Sequence, residues 1–335
     1  MLPSNVRAPR LLVLADGAPL MGAFEAVVCS HGGFAASTFR VRAALGGDAA
    51  DWAGRTQIAV EVRMSLSPAA GFVSVIEGIA DLVCIDPIRG TLALEGRDAS
   101  AALMETPIQE SFANQTASEI ATALAGRHGL AADVQATQAP VGRYWELGHD
   151  TLALNAAARA GTEWDLLALL AQHEGFALWV DGGALHFRAP EATQPALLPV
   201  AALTALRLER ALTFAGDIAV TVKSWHSRAG AGCVGRARTA RGGAVRDYVF
   251  VAPNLTQDAA DALAARRLAE LAGHELVLHA EMPGELALRA RGAVQLQGSN
   301  SAFDTVYRID QVVRRLDARL GFSQSLRARA ALGAV

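Results

Sequence analysis

The chain has 335 residues, 52% of them hydrophobic and 19% charged, with a mean hydropathy of +0.24. This is a folding composition at a length suited to two or three domains of ~100–150 residues each, and it excludes a disordered chain. The net charge of −3 is unevenly spread: residues 1–200 hold 12 basic and 21 acidic side chains (−9), and residues 201–335 hold 18 and 12 (+6).

Nearly every base is arginine, and Lys223 is the only lysine. Two readings fit this split. Either arginine-rich usage is spread over solvated faces, or the two ends meet partners of opposite sign, each other in a ring of subunits among them. No run of ~18 apolar residues is present, so no transmembrane helix is expected. The apolar patch Leu11–Leu14 is too short for a signal peptide. Cys29, Cys84 and Cys233 are odd in number, far apart and without CxxC spacing, which points to synthesis in a reducing cytoplasm.

Residues 8–100 read as strands. FEAVVCS, TFRVRAAL, QIAVEVRMSL, GFVSVIEGIADLVCID and GTLALEG alternate or carry β-branched runs, separated by HGGF, GGDAADW, SPAAG and DPIRG. Such strands, without helices between them, suggest a sandwich or barrel. The texture changes near residue 101. Thr116 and Glu119 have capping-box spacing for a short helix ending near Arg127, with Gly129 to close it. Thr162 is the expected cap of a second helix, with Asp165 in its first turn. Leu166, Leu169, Leu170 and His173 follow a helical period, and Gly175 is the expected left-handed terminator. Phe176–Val180, the turn Asp181-Gly182-Gly183 and Ala184–Phe187 read as a hairpin. APEATQPALLPVAA, with three prolines, reads as a linker. Strands return in ALTALRLER, DIAVTVKSW and VRDYVFVA. One helix runs from the Thr256 cap to Gly273. Strands then follow at residues 274–281, 293–297, 306–316 and 322–330.

The chemical candidates weaken on inspection. Glu163 and Glu174 share a helix face, but eleven residues rise ~16 Å, beyond the ~5–9.5 Å of a glycosidase pair. Helix-end charge is the expected role. His274 and His279 are five apart in an expected strand and face opposite sides, so no metal site is expected. No GxSxG, Walker or GxGxxG pattern occurs. Cys233 falls in SRAGAGCVGRARTARGG, read as an arginine-rich β-hairpin loop. Arg236, Arg238, Arg241 and Arg246 have only Tyr248 near them, too little aromatic character for a nucleic-acid surface. Trp145, Trp164, Trp179 and Trp225 are expected in the core or at interfaces rather than as sugar platforms. No catalytic residue, cofactor or metal is expected.

The order of these pieces resembles one family. LALEGRDASAALM (92–104) resembles the "GRD" stretch that ends the first barrel of the phage late control protein D family. Those are baseplate or tail hub proteins related to the hub part of type VI secretion spike proteins. SFANQTASEIATALAGRHGL resembles that family's short helix. Asp165, Leu167, Leu170, Ala171 and Gly175 match its D-x-L-x-x-L-A-x-x-x-G helix, and TVYRIDQVVRRLDARLGFSQSLRARA resembles its final hairpin. The resemblance covers roughly residues 8–330.

It implies a mainly β fold with α+β character: two β-barrel-like tube domains, 1–104 and 191–335, flanking a small α/β domain, 105–190. It also implies a homotrimer without enzymatic activity. Six similar barrels would match a sixfold tail tube on one side and a threefold central spike on the other. The implied partners are the tail tube protein, the central spike protein and other baseplate or tape-measure proteins. No specific nucleic acid and no stable membrane insertion are implied. The implied place is the virion tail, after assembly in the host cytoplasm. Gly96, Arg97, Asp98, Asp165 and Gly175 are structural motif residues. Arg236, Arg238 and Arg241 are the expected subunit-interface residues, meeting the acidic N-terminal part of the next protomer. No domain-sized insertion or long spike β-helix is present, so spike or lytic activity is expected on a separate polypeptide. The competing expectations are a tail-carried cell-wall hydrolase and a type VI-like spike or glycan-binding adaptor.

Overall fold

The structure, a computed structural model, describes residues 7–331 other than 48, 109, 111, 113, 142, 145–148, 151–160, 192 and 227–229. It is 47% strand and 19% helix, a mainly β chain with α+β character, as the sequence led us to expect.

The N-terminal half contains β1 (Arg10–Ala15), β2 (Ala18–Pro19), β3 (Ala23–His31), β4 (Thr38–Ala44), helix α1 (Ala49–Gly54), β5 (Ala59–Ser65), β6 (Val73–Asp86) and β7 (Thr91–Asp98). The strands pair antiparallel in the order β2-β1-β5-β6-β7-β4-β3. The alternation read from sequence sets the faces. Val60, Val62 and Met64 of β5 point inward with Val41 of β4 and Leu92 and Leu94 of β7. Each such fully buried side chain contributes roughly 2 kcal/mol. Leu11–Leu14, within the span read as strands, belongs to strand β1, whose Val13 joins this core. One detail differs from the sequence reading. The GGDAADW turn contains α1, because Trp52 is drawn over the end of the core.

The middle unit contains α2 (Ser100–Glu105), α3 (Ala117–Arg127), β8 (Ala131–Val134), β9 (Arg143–Tyr144), β10 (His149–Asp150), α4 (Glu163–Glu174), β11 (Ala177–Asp181) and β12 (Ala184–Arg188). Strands β11 and β12 form the hairpin, and β8 adds parallel to β12. Helices α3 and α4 lay Ile120, Leu124, Leu167 and Leu170 on Leu178, Leu185 and Phe187 of this sheet.

The remaining elements are β13 (Ala196–Pro199), β14 (Ala205–Arg210), β15 (Asp217–His226), β16 (Ala231–Arg238), β17 (Val245–Val251), α5 (Gln257–Ala272), β18 (Leu276–Pro283), β19 (Ala293–Gln297), β20 (Val306–Asp317) and β21 (Gly321–Ala330). The proline-rich stretch read as a linker supplies β13, which pairs parallel with β19. The loop assigned to SRAGAGCVGRARTARGG contains β16, which pairs with β15 over eight residues. Strands β16-β15-β17 make a separate sheet with α5 packed on one face. Gly235 makes that packing possible, because a Cβ there would lie 2.2 Å from the carbonyl oxygen of Ala260 in α5.

Strand β20 decides the architecture. One edge pairs with β21. Its other edge pairs with β19 through Val306–Arg308 and with β3 through Gln311–Asp317. The partner changes at a register shift between Ile309 and Gln311. Strands of both halves therefore lie in one 13-stranded sheet. The sheet curls, since β1 and β3 share a core, but among the described residues no ladder closes it into a barrel. The physical reason is that β20 continues the hydrogen bonding of one half into the other.

Candidate functional site

Polar contacts tie the two halves and the middle unit together where they meet. The loop from His31 to Ser37 is the common element. The Gly32 amide donates to the Asp310 carbonyl at 2.6 Å, at the shift in β20. The Trp164 indole N–H, from α4, donates to the Phe34 carbonyl at 3.0 Å. The Ser37 amide donates to Asp98 at 2.7 Å.

Arg291 ties all three parts together. Its backbone lies before β19 in the positive-φ region (φ 73°). Its guanidinium donates to the His31 carbonyl at 2.8 Å and lies 4.4 Å from the Trp179 ring centre. Trp179 stacks on His186 at 4.5 Å, and His186 Nδ1 lies 2.6 Å from Asp133. Burial lowers the Arg291 pKa to about 10, and it lowers that of nearby Arg314 to about 10 as well. Arg314 is buried and donates to the carbonyls of Glu285 and Leu288. Removing such cations from water is costly, and carbonyl dipoles offset part of that cost.

Gly96, Arg97 and Asp98 stand at the end of β7, and Asp165 and Gly175 at the two ends of α4. Gly96 lets β7 pair closely with β6 beside a register shift: a Cβ there would lie 2.1 Å from the Ile79 carbonyl oxygen and 2.6 Å from the Phe39 ring. Arg97 points outward, holds Asp81 through two bonds of 2.7 and 2.8 Å, and reaches Glu105 of α2. Asp98 points inward, accepts from the Ser100 amide and hydroxyl, and has its pKa raised chiefly by burial. Asp165 closes a capping box with Thr162 (3.1 Å each way). Gly175 terminates α4 at φ 75°, a conformation that a Cβ would strain. The Arg266 side chain packs against this glycine and donates to the His173 carbonyl at 2.9 Å, which ties α5 to the end of α4.

One sequence reading needs correction. Glu163 is not a solvated helix-end charge. It is fully buried, held by Arg127 and by His128 at 2.5 Å each. Nothing local marks this burial, because His128 and Glu163 are 35 residues apart. Arg236, Arg238 and Arg241, the expected subunit-interface residues, have different surroundings within the chain. Arg238 pairs with Asp217 at 2.8 Å, and Arg241 donates to the Phe214 carbonyl and pairs with Glu275. Arg236 faces outward on β16. Trp164 is buried, Trp179 lies in the joint, Trp225 is exposed, and Trp145 lies outside the described residues. Among the described residues no group of three or more His, Cys, Asp or Glu could hold a metal ion, and no helix is long and apolar enough to cross a membrane.

No protein-family model and no curated protein matches the chain. Solved structures do. The tail protein from Neisseria meningitidis MC58 superposes with a TM-score of 0.72 at 16% identity, over 96% of both chains. The 43 kDa tail protein of prophage MuSo2 from Shewanella oneidensis gives 0.70 at 17% identity, also over 96% of both chains. An Escherichia coli component of the type VI secretion system gives 0.60 at 11% identity, over 96% of this chain and 77% of that one. The chain thus has a fold found in phage tail proteins. A type VI secretion component shares it, and both kinds of neighbour match the tail-hub resemblance carried by the sequence motifs.

Proposed function

We propose that this chain is a structural hub protein of a phage or phage-like tail. Its work is to hold other proteins in register rather than to turn over a substrate. The observation that carries this reading is the sheet itself. Seven strands of the N-terminal half (β1–β7) and six of the C-terminal half (β13, β14, β18–β21) are fused through β20 in one protomer. The tail-protein fold over nearly the whole chain supports it. Two comparable halves per chain suit a homotrimer that offers six near-equivalent units to a sixfold tube and three to a central spike. In this reading segments 1–104 and 191–335 build the ring and segment 105–190 braces it. The partners are the tube protein, the spike protein and neighbouring baseplate or tape-measure proteins in the virion tail.

The test is the mass of the purified protein by light scattering, alone and with its tube protein. A trimer that binds the end of the tube is expected; a monomer that ignores the tube rejects the reading. A peptidoglycan zymogram addresses the hydrolase alternative, and no clearing is expected.

A further inference from the structure

A cleft of about 480 Å³ opens where the β11-β12 hairpin of the middle unit faces the segment leading into β19. The hairpin side carries Trp179, His186 and Arg188, and the opposite side carries Arg289, Arg291 and Arg308. Its size falls within the ~300–1,000 Å³ of small-molecule sites. Arg289 and Arg291 are two apart in the chain, and Arg308 stands across the β19-β20 ladder from Ala293.

The charges lining this cleft do not cancel. Arg188 is satisfied: it pairs with Asp133 at 3.1 Å and with Glu191 at 2.9 Å, and Asp133 also holds His186. Arg289, Arg291 and Arg308 pair with no carboxylate among the described residues, and Arg289 and Arg308 make no side-chain hydrogen bond there either. The Asp310 carboxylate next to Arg308 is taken by Arg329 at 2.6 and 2.9 Å. Arg291 gives one nitrogen to the His31 carbonyl; its Nε and Nη2 have no acceptor among the described residues and are not sealed from solvent. Of the lining carboxylates, only Asp181 is without a partner there. Three free guanidinium groups against one free carboxylate leave two positive charges in excess. The cations also act on one another. Burial lowers the Arg291 pKa first; Arg308 and Arg289 lower it further, against the attraction of Asp181 and of Asp98, which Ser37 and Ser100 already hold. Like charges gathered in this way carry a cost that a bound anion relieves.

We propose that this cleft binds the phosphoryl group of a small solute, with Arg289, Arg291 and Arg308 as donors and the Trp179–His186 stack as one wall. A phosphate monoester carries about two negative charges near neutral pH and three terminal oxygens, which match the excess charge and the three planar forks. A carboxylate brings one charge and two oxygens and leaves a cation uncompensated. The site lies within one protomer, so it does not depend on the hub reading. Its ligand fastens the middle unit to the C-terminal half.

Isothermal titration calorimetry of the full-length protein at constant ionic strength compares inorganic phosphate, glycerol phosphate and succinate. One or both phosphates should bind about tenfold tighter than succinate, and the tighter of the two tells a free ion from an ester as the source. Arg308→Gln should weaken that binding about tenfold. Without phosphate the same variant should melt no lower than the parent, because Arg308 has no hydrogen bond or ion pair to lose. Phosphate should raise the melting temperature of the parent and leave that of Arg308→Gln at the level succinate gives. Arg207→Gln, on β14 and outside the cleft, should bind as the parent does. No heat with millimolar phosphate, succinate binding as tight as phosphate, or an unchanged affinity in Arg308→Gln overturns the site. A lower melting temperature of Arg308→Gln in the absence of phosphate makes Arg308 a structural residue and overturns its role as a donor.

Discussion

Arg291 shows how much one side chain can hold. Its backbone belongs to the C-terminal half, its hydrogen bond reaches the N-terminal half, and its cation lies on a tryptophan of the middle unit. Arg291→Ala should cost roughly 2–3 kcal/mol, the sum of a charged hydrogen bond and a partly desolvated cation–π contact. Arg291→Lys should recover less than half of that, because an ammonium lacks the planar fork. Urea midpoints compare the three proteins, and an unchanged midpoint for the alanine variant would remove Arg291 from the joint. The sequence showed Arg291 as one of many arginines. Its partners, His31 and Trp179, are 260 and 112 residues away, so nothing local marked it.

Elements defined by their own neighbours were the legible ones. The Thr116–Glu119 box, the Thr162 cap, the Gly175 terminator and the Asp181-Gly182-Gly183 turn stand where the sequence put them. Each depends on contacts within about four residues. Strand β16 was missed because its glycines and arginines read as loop. Gly235 is there for a different reason, the approach of α5. Gly235→Val should therefore destabilise the β16-β15-β17 unit by about 3 kcal/mol through overpacking. Gly46→Ala, with open space around it, should stay within about 0.5 kcal/mol. Thermal melts of both variants check this, and equal melting temperatures would mean that α5 does not press on β16.

At the scale of the whole molecule, the ladder between β3 and β20 makes the two halves mutually dependent. Calorimetry should show one main transition for both, since neither keeps its sheet without the other. A fragment of residues 1–104 would leave the outer edge of β3 bare, and it should aggregate rather than stay a soluble monomer. Two resolved transitions, or a soluble folded fragment, would show that the β3–β20 ladder is not what joins them.

The sequence by itself determined the mainly β class, most strands, the helix caps and the order of motifs that resembles tail hubs. Periodicity and capping act over a few residues and leave their mark in the chain. Only the tertiary structure decided that β20 serves both halves, that Glu163 is buried, and that Arg238 and Arg241 hold Asp217 and Glu275. These depend on pairings between residues up to ~290 positions apart, as between β20 and β3. The energy of such pairings is realised only once the chain has closed the intervening loop, so no short stretch of sequence carries their signature.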